Sequence, residues 1–205
     1  MKLRPYILFF ALVVIQASSQ AQAPSKHHLG LKTSINFSSL LGNELQNPRP
    51  KFGYTAGPYA IINTNKKLDI YTEFVGNFKG ARFSNGDTGY SRIALFYMDF
   101  VAMPLYNYNE DKNAIAIGPY ASYLGLSSLY IGAKKKAELN DIGFRPWDAG
   151  IGAYVHVNGQ YASFQVGTKV SLLSANRDVN FEGYFPKTGN GGFVRNVSLE
   201  IGMLF

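Results

Sequence analysis

From Phe193 to Phe205 the apolar residues fall on every second position: Phe193, Val197, Leu199, Ile201, Met203 and Phe205 share a parity broken by Arg195, with Asn196, Ser198, Glu200 and Gly202 opposite. Alternation with a period of two makes a strand with one oily face and one polar or small face. The pattern recurs upstream, where Ala149, Ile151, Ala153, Val155 and Val157 oppose Asp148, Gly150, Gly152, Tyr154 and His156. It recurs again where Ala162, Phe164, Val166, Val170 and Leu172 oppose Ser163, Gln165, Gly167, Lys169 and Ser171. No stretch keeps apolar residues at helical spacing over several turns, and 21 glycines, 14 tyrosines and 15 phenylalanines suit β structure. The chain reads as all-β.

Eight segments carry the pattern: roughly 28–37, 51–62, 67–78, 92–105, 113–126, 144–157, 160–172 and 192–205. The connections 38–50, 79–91, 127–143 and 173–191 are long and polar, whereas 63–66, 106–112 and the pair Asn158-Gly159 are short turns. Strict alternation of long and short connections puts all turns at one rim and all loops at the other. This predicts an eight-stranded antiparallel up-and-down transmembrane β-barrel with four long extracellular loops. Each segment also has about the 9–11 residues that a tilted membrane strand needs.

A membrane barrel turns its oily face to lipid, and a soluble barrel turns it inward. The polar parity carries Lys32, Glu73, Asp99, Asp148, Lys169 and Glu200 near mid-strand, with both signs represented and many glycines on the same face. Such a set suits the cramped interior of an eight-stranded barrel, where it forms a salt-bridged network rather than lining a wide channel. Tyr54, Phe78, Tyr90, Tyr123, Phe144 and Trp147 fall near the loop ends, and Tyr59, Tyr106, Tyr108 and Phe205 near the turn ends, as two aromatic girdles require. The competing reading is a soluble periplasmic barrel whose oily face holds a small apolar ligand.

The N-terminus supports export. Lys2 and Arg4, the apolar run Tyr6–Ile15 and the small polar stretch QASSQAQA form the three regions of a secretory signal peptide. Pro24 disfavours cleavage after Ala23, so cleavage is expected after Ala21, dividing the chain into a signal peptide over 1–21 and a barrel domain over 22–205. The apolar run is about half of what a membrane helix needs. The mature chain keeps 18 basic and 13 acidic residues, a balance of +5 spread along its length, which does not read as nucleic-acid binding. Without cysteine it forms no disulfide, is no thiol enzyme and takes no lipid anchor on an N-terminal cysteine.

No chemical motif emerges. His27 and His28 stand beside Lys26 in the lead-in, His156 lies on the polar parity, and neither a GxSxG elbow nor an HExxH motif occurs. No catalytic residue, metal or cofactor is therefore expected, against the alternative of a loop-based lipid enzyme. The loops supply two contact candidates: Lys134, Lys135 and Lys136, which suit the phosphates of lipopolysaccharide or an acidic partner, and Phe181, Tyr184 and Phe185 around Glu182 and Pro186, which suit a protein.

Taken as a set, GLKTSINFSSL (30–40), FGYTAGPYA (52–60), LDIYTEFVGNFKGARF (68–83), YMDFVAMPL (97–105), AIAIGPYASYLGL (114–126), WDAGIGAYVHV (147–157) and the closing VSLEIGMLF resemble the outer-membrane β-barrel domain family abundant in Bacteroidota, which includes the PorT-like proteins. The resemblance implies a barrel in the outer membrane of a Gram-negative bacterium. It also implies insertion by the outer-membrane assembly machinery, which in this class reads a final strand ending in an aromatic residue, here Phe205. PorT-like relatives serve protein secretion and gliding; fold and location carry over, and no motif singles out the secretion branch. The expected function is that of a non-catalytic integral outer-membrane protein, with loops for surface interaction or a role in a secretion or envelope assembly.

Overall fold

The computed structural model describes residues 27–42, 48–65, 67–84, 90–109, 113–131, 134–137, 144–159, 162–175 and 193–205. The expected signal peptide and the aromatic patch at Phe181, Tyr184 and Phe185 lie outside them. The described strands are β1 (His27–Leu41), β2 (Arg49–Asn63), β3 (Leu68–Ser84), β4 (Tyr90–Asn107), β5 (Ala114–Ile131), β6 (Lys134–Ala137), β7 (Trp147–Asn158), β8 (Ser163–Ser171) and β9 (Arg195–Leu204). Antiparallel neighbours run β4-β3-β2-β1-β9-β8-β7-β5, and pairing of β4 with β5 closes an eight-stranded barrel. The four-residue β6 is appended to the loop end of β5.

Closure gives every barrel strand a hydrogen-bonded neighbour on both sides, which a chain without an aqueous surround requires. Short turns are set locally: Asn65 Oδ1 accepts from the backbone N–H of Lys67 (3.0 Å) and Leu68 (2.7 Å), and Asn109 Oδ1 accepts from that of Asn113 (2.8 Å). At the third turn the Gly159 N–H donates to the Ala162 carbonyl (3.1 Å), so the expected two-residue Asn158-Gly159 turn is a longer one, with β8 beginning at Ser163.

The faces run as membrane insertion demands. Ile35, Phe37, Ile70, Phe74, Phe100, Ile117, Ile151, Val166, Leu199 and Ile201 are exposed on the outside, while Lys32, Glu73, Asp99, Lys169 and Glu200 are buried inside. At about 25 cal/mol per Å², so large an apolar surface would be prohibitive against water and is natural against lipid. The oily face is therefore outside, opposite to a soluble ligand-holding barrel.

Strand lengths correct the sequence reading. β1 to β5 have 15 to 18 residues, so the first two long connections shrink to residues 42–48 and 85–89. Above the membrane the polarity of the wall inverts, while the parity continues on β1, β3 and β4 and shifts by one residue on β5. The inward positions change from Lys32, Asn36, Asn77 and Lys79 to Leu40, Ala81, Phe83, Ile93, Leu95 and Leu129, and the outward ones from phenylalanine to Arg82 and Arg92. A reading that ends a strand where its oily face stops stops too soon, because in water the oily face belongs inside. Leu40, Phe83, Ile93, Leu95, Leu124, Leu129, Phe144, Ala175 and Val194 pack together as an apolar tier across the loop end.

On the opposite wall β7, β8 and β9 have only 9 to 12 residues. Here the chain folds over the mouth instead of rising: Arg145 N–H donates to the Ala175 carbonyl (2.8 Å) and Ala175 N–H to that of Val194 (2.6 Å). Two expected girdle members are reassigned. Phe144 precedes β7 and is buried in the apolar tier, and Tyr59 faces inward over the turn-end cluster, whereas Tyr54, Tyr106, Tyr108, Tyr123, Trp147 and Phe205 are exposed.

Candidate functional site

The residues with the greatest chemical potential meet at mid-height in the lumen, each on the inward parity of a different part of the wall. Lys32 of β1 donates from Nζ to Glu73 Oε2 (2.8 Å, β3) and Glu200 Oε2 (3.0 Å, β9). Lys169 of β8 reaches Asp99 Oδ2 (2.8 Å, β4), Glu73 Oε1 (3.0 Å) and Glu200 Oε1 (3.6 Å). Lys79 of β3 lies 3.1 Å from Asp99 Oδ2. Three ammonium groups thus alternate with three carboxylates, all buried, and their charges cancel.

Neutral donors complete the shells of the carboxylates. Tyr71 (2.6 Å) and Tyr154 (3.1 Å) hydroxyls donate to Glu73, and Ser122 Oγ donates to Asp99 Oδ1 (2.7 Å). Asn77 Nδ2 bridges Asp99 Oδ2 (2.8 Å) and Glu200 Oε1 (3.3 Å), and Asn36 Nδ2 donates to Asn77 Oδ1 (3.0 Å). The lysines stand over aromatic faces, with Lys32 4.6 Å from the Tyr154 ring centroid and Lys79 5.0 Å from that of Tyr97. Buried charge is tolerated only when paired and hydrogen-bonded. Gly167 makes room for this: the Tyr154 ring packs where a β-carbon would stand.

The structure brings five of the six expected network residues together. Asp148 is also buried and inward, but sits toward the loop end among neutral partners: Ser171 Oγ, Asn196 Nδ2 (3.2 Å) and the Tyr120 hydroxyl (3.5 Å) donate to it. The expected network lacks Lys79, Asn36, Asn77 and Tyr71, whereas Tyr154 stands on the polar parity that the sequence assigns to it. Tyr71, Asn77 and Lys79 share the parity of Glu73 and are legible by continuing it, although Lys79 falls where the oily face of the strand ends and the connection 79–91 is expected.

Below the cluster, Tyr71, Val101, Met103, Leu105, Ala114, Ala116, Tyr120, Tyr154 and Leu204 form a second apolar tier. His156 is buried here with its ring 4.9 Å from that of Tyr71 and Nε2 3.3 Å from Gln165 Nε2. A turn-end vestibule of about 380 Å³, bordered by His28, Asp69, His156 and Phe205, stops at this tier. Among the described residues no group of three or more His, Asp or Glu could hold a metal ion.

The remaining candidates lie at the rims. Lys134, Lys135 and Lys136 belong to β6 rather than to a loop, with Lys134 opposite Ile131 and Lys135 opposite Tyr130; Lys134 is exposed. Phe205 stands exposed at the turn rim, its backbone exchanging hydrogen bonds with Leu31 at 2.9 and 3.0 Å.

An oily exterior, a closed antiparallel wall and a polar interior define a transmembrane β-barrel of the outer-membrane kind. The chain belongs to the outer membrane protein β-barrel domain family, which it matches over residues 17–172. Among solved structures it is similar to Ail, the attachment invasion locus protein of Yersinia pestis, in complex with the heparin analogue sucrose octasulfate (TM-score 0.45, 11% identity, covering 88% of this chain and 100% of that one). It is also similar to Neisserial surface protein A (TM-score 0.46, 11% identity, 88% and 98%). No curated protein sequence matches it.

Proposed function

We propose that this protein is a non-catalytic, non-conducting outer-membrane scaffold, whose lumen is filled for stability and whose work is done at the loop rim. The observation that carries this reading is the ionic cluster lying between two apolar tiers: a solute crossing the barrel would have to part Lys32, Lys169 and Lys79 from their carboxylates. Eight strands enclose just enough space for side chains, and those present fill it. Surface interaction through the loop rim, with Lys134, Lys135 and Lys136 among the contacts, is the role we assign. Service in a secretion or envelope assembly is the second reading, favoured by the set of PorT-like motifs. Phe205, with its ring free on the outer face, is the residue offered to the assembly machinery.

The test joins fractionation to conductance. Outer membranes extracted with detergent should yield a protein whose gel mobility shifts on boiling and whose mass begins at Gln22. Reconstituted in a planar bilayer, it should give no resolved conductance steps. Discrete steps would make it a pore and refute the sealed-lumen reading; a mass retaining residues 1–21 would refute the cleavage.

A further inference from the structure

Across the tall wall of the barrel, one rung on the outer face carries Arg49 of β2, Arg82 of β3, Arg92 of β4 and Tyr130 of β5 as successive cross-strand partners. All three arginines are exposed, and the Arg92 guanidinium lies 4.3 Å from the Tyr130 ring centroid. Two irregularities bring the rung into phase. By strict alternation from Phe52 and Tyr54, Arg49 would face inward; the register shift between Pro50 and Thr55 turns it out beside Arg82. On β5 the shift opposite Phe96 and Tyr97 skips Gly125, so that Tyr130 shares the outer face with Tyr123. Bulges re-aim side chains, and here two of them flank one hairpin and serve one row.

The height of the row follows from the strands. From Leu68 to Phe78 the outer face of β3 spans ten residue-to-residue steps, about 33 Å of strand, or about 25 Å along the membrane normal at a tilt of about 40°. That is the whole apolar band, and it ends in an aromatic rung where Tyr54, Phe78 and Phe96 stack at 4.5 and 4.7 Å. Arg82 and Arg92 stand four residues further on, about 10 Å above it, at the level of the headgroups. Like charges directly opposite one another on a sheet repel. Among the described residues every Asp and Glu, namely Asp69, Glu73, Asp99, Asp148 and Glu200, is buried inside the barrel, so none of these answers the row. Lys51 adds a fourth cation close enough to feel the charge of Arg92 and Arg82.

We propose that Arg49, Arg82 and Arg92, with Tyr130, form a binding site for the phosphoryl groups of an outer-leaflet phospho-glycolipid, each guanidinium offering its fork of donors to phosphate oxygens. The site rests on the outer-membrane placement given above and specifies which wall of the barrel holds the lipid, and by which chemistry.

The experiment compares wild type with the triple variant Arg49→Gln/Arg82→Gln/Arg92→Gln, both with the gel mobility shift of a folded barrel. Each is placed in nanodiscs of phosphatidylcholine alone, of phosphatidylcholine with bis-phosphorylated lipid A, or of phosphatidylcholine with dephosphorylated lipid A; a further arm adds inorganic phosphate to the first. In phosphatidylcholine alone, whose phosphodiester is balanced by its own choline, the variant should unfold at the same temperature as wild type or higher, because repulsion has been removed. With bis-phosphorylated lipid A the order should reverse, and native mass spectrometry should find the lipid retained roughly a hundredfold less by the variant. Equal retention by both proteins would overturn the proposal. So would equal stabilisation of wild type by inorganic phosphate or by dephosphorylated lipid A. Should the triple variant lose its mobility shift, Arg82→Gln alone decides by the same retention assay, with an expected loss of several-fold. Failure of wild type itself to enter nanodiscs as a heat-modifiable barrel would instead refute the membrane reading.

Discussion

Lys169→Met should destabilise the folded barrel by about 3–5 kcal/mol, measured as a fall in the urea midpoint of the detergent-solubilised or nanodisc-embedded protein. The lysine touches Glu73, Asp99 and Glu200, and methionine keeps its length and apolar stem while removing the ammonium. Three carboxylates then face only Lys32 and Lys79, in a space closed to water by an apolar tier on either side. Breaking a buried pair costs more than the pair contributes, because the survivor is left charged and dry.

A second substitution separates this account from a general loss of packing. Glu73→Gln in the Lys169→Met background restores neutrality, with Lys32 still paired to Glu200 and Lys79 to Asp99, and keeps the shape of the side chain. The double variant should be more stable than Lys169→Met alone, a coupling of opposite sign to the single effects. Should Lys169→Met cost less than about 0.5 kcal/mol, the charges are screened by water and the lumen is a wet passage rather than a filled core.

The sequence carried the barrel and its strand number because membrane strands must alternate and must be joined at alternating ends. It carried Lys32, Glu73, Asp99, Lys169 and Glu200 because parity assigns each to the inner face. It did not carry Lys79, which lies where the outer face of β3 ceases to be oily and the strand seemed to end. Nor did it carry the arginine row, since Arg49 and Tyr130 reach the outer face only through bulges. Alternation counted along a strand loses phase where that strand carries an extra residue, and only the pairing with its neighbour reveals one. Phe144 and Tyr59 failed as girdle residues for a related reason: aromatic identity gives an amphipathic ring, and the register gives its side.

The inverted loop end makes its own prediction. Phe83→Ala should cost about 3–5 kcal/mol, as for an aromatic removed from a well-packed core, because its ring is buried among Leu40, Ile93, Leu95, Leu129 and Phe144. A membrane barrel facing lipid on one side and a polar lumen on the other would lose far less at this position. The cost should also be local. The loop-end tier and the ionic cluster are stacked along the barrel axis, so the variant should become sensitive to externally added protease between residues 132 and 146 or 172 and 194 while keeping its mobility shift. The conservative Phe83→Leu should recover most of the loss, since it refills the cavity without restoring the ring. If Phe83→Ala unfolds no earlier and is cleaved no faster than wild type, the loop end is not a second packed core, and the strands above the membrane are held by their backbone ladders alone.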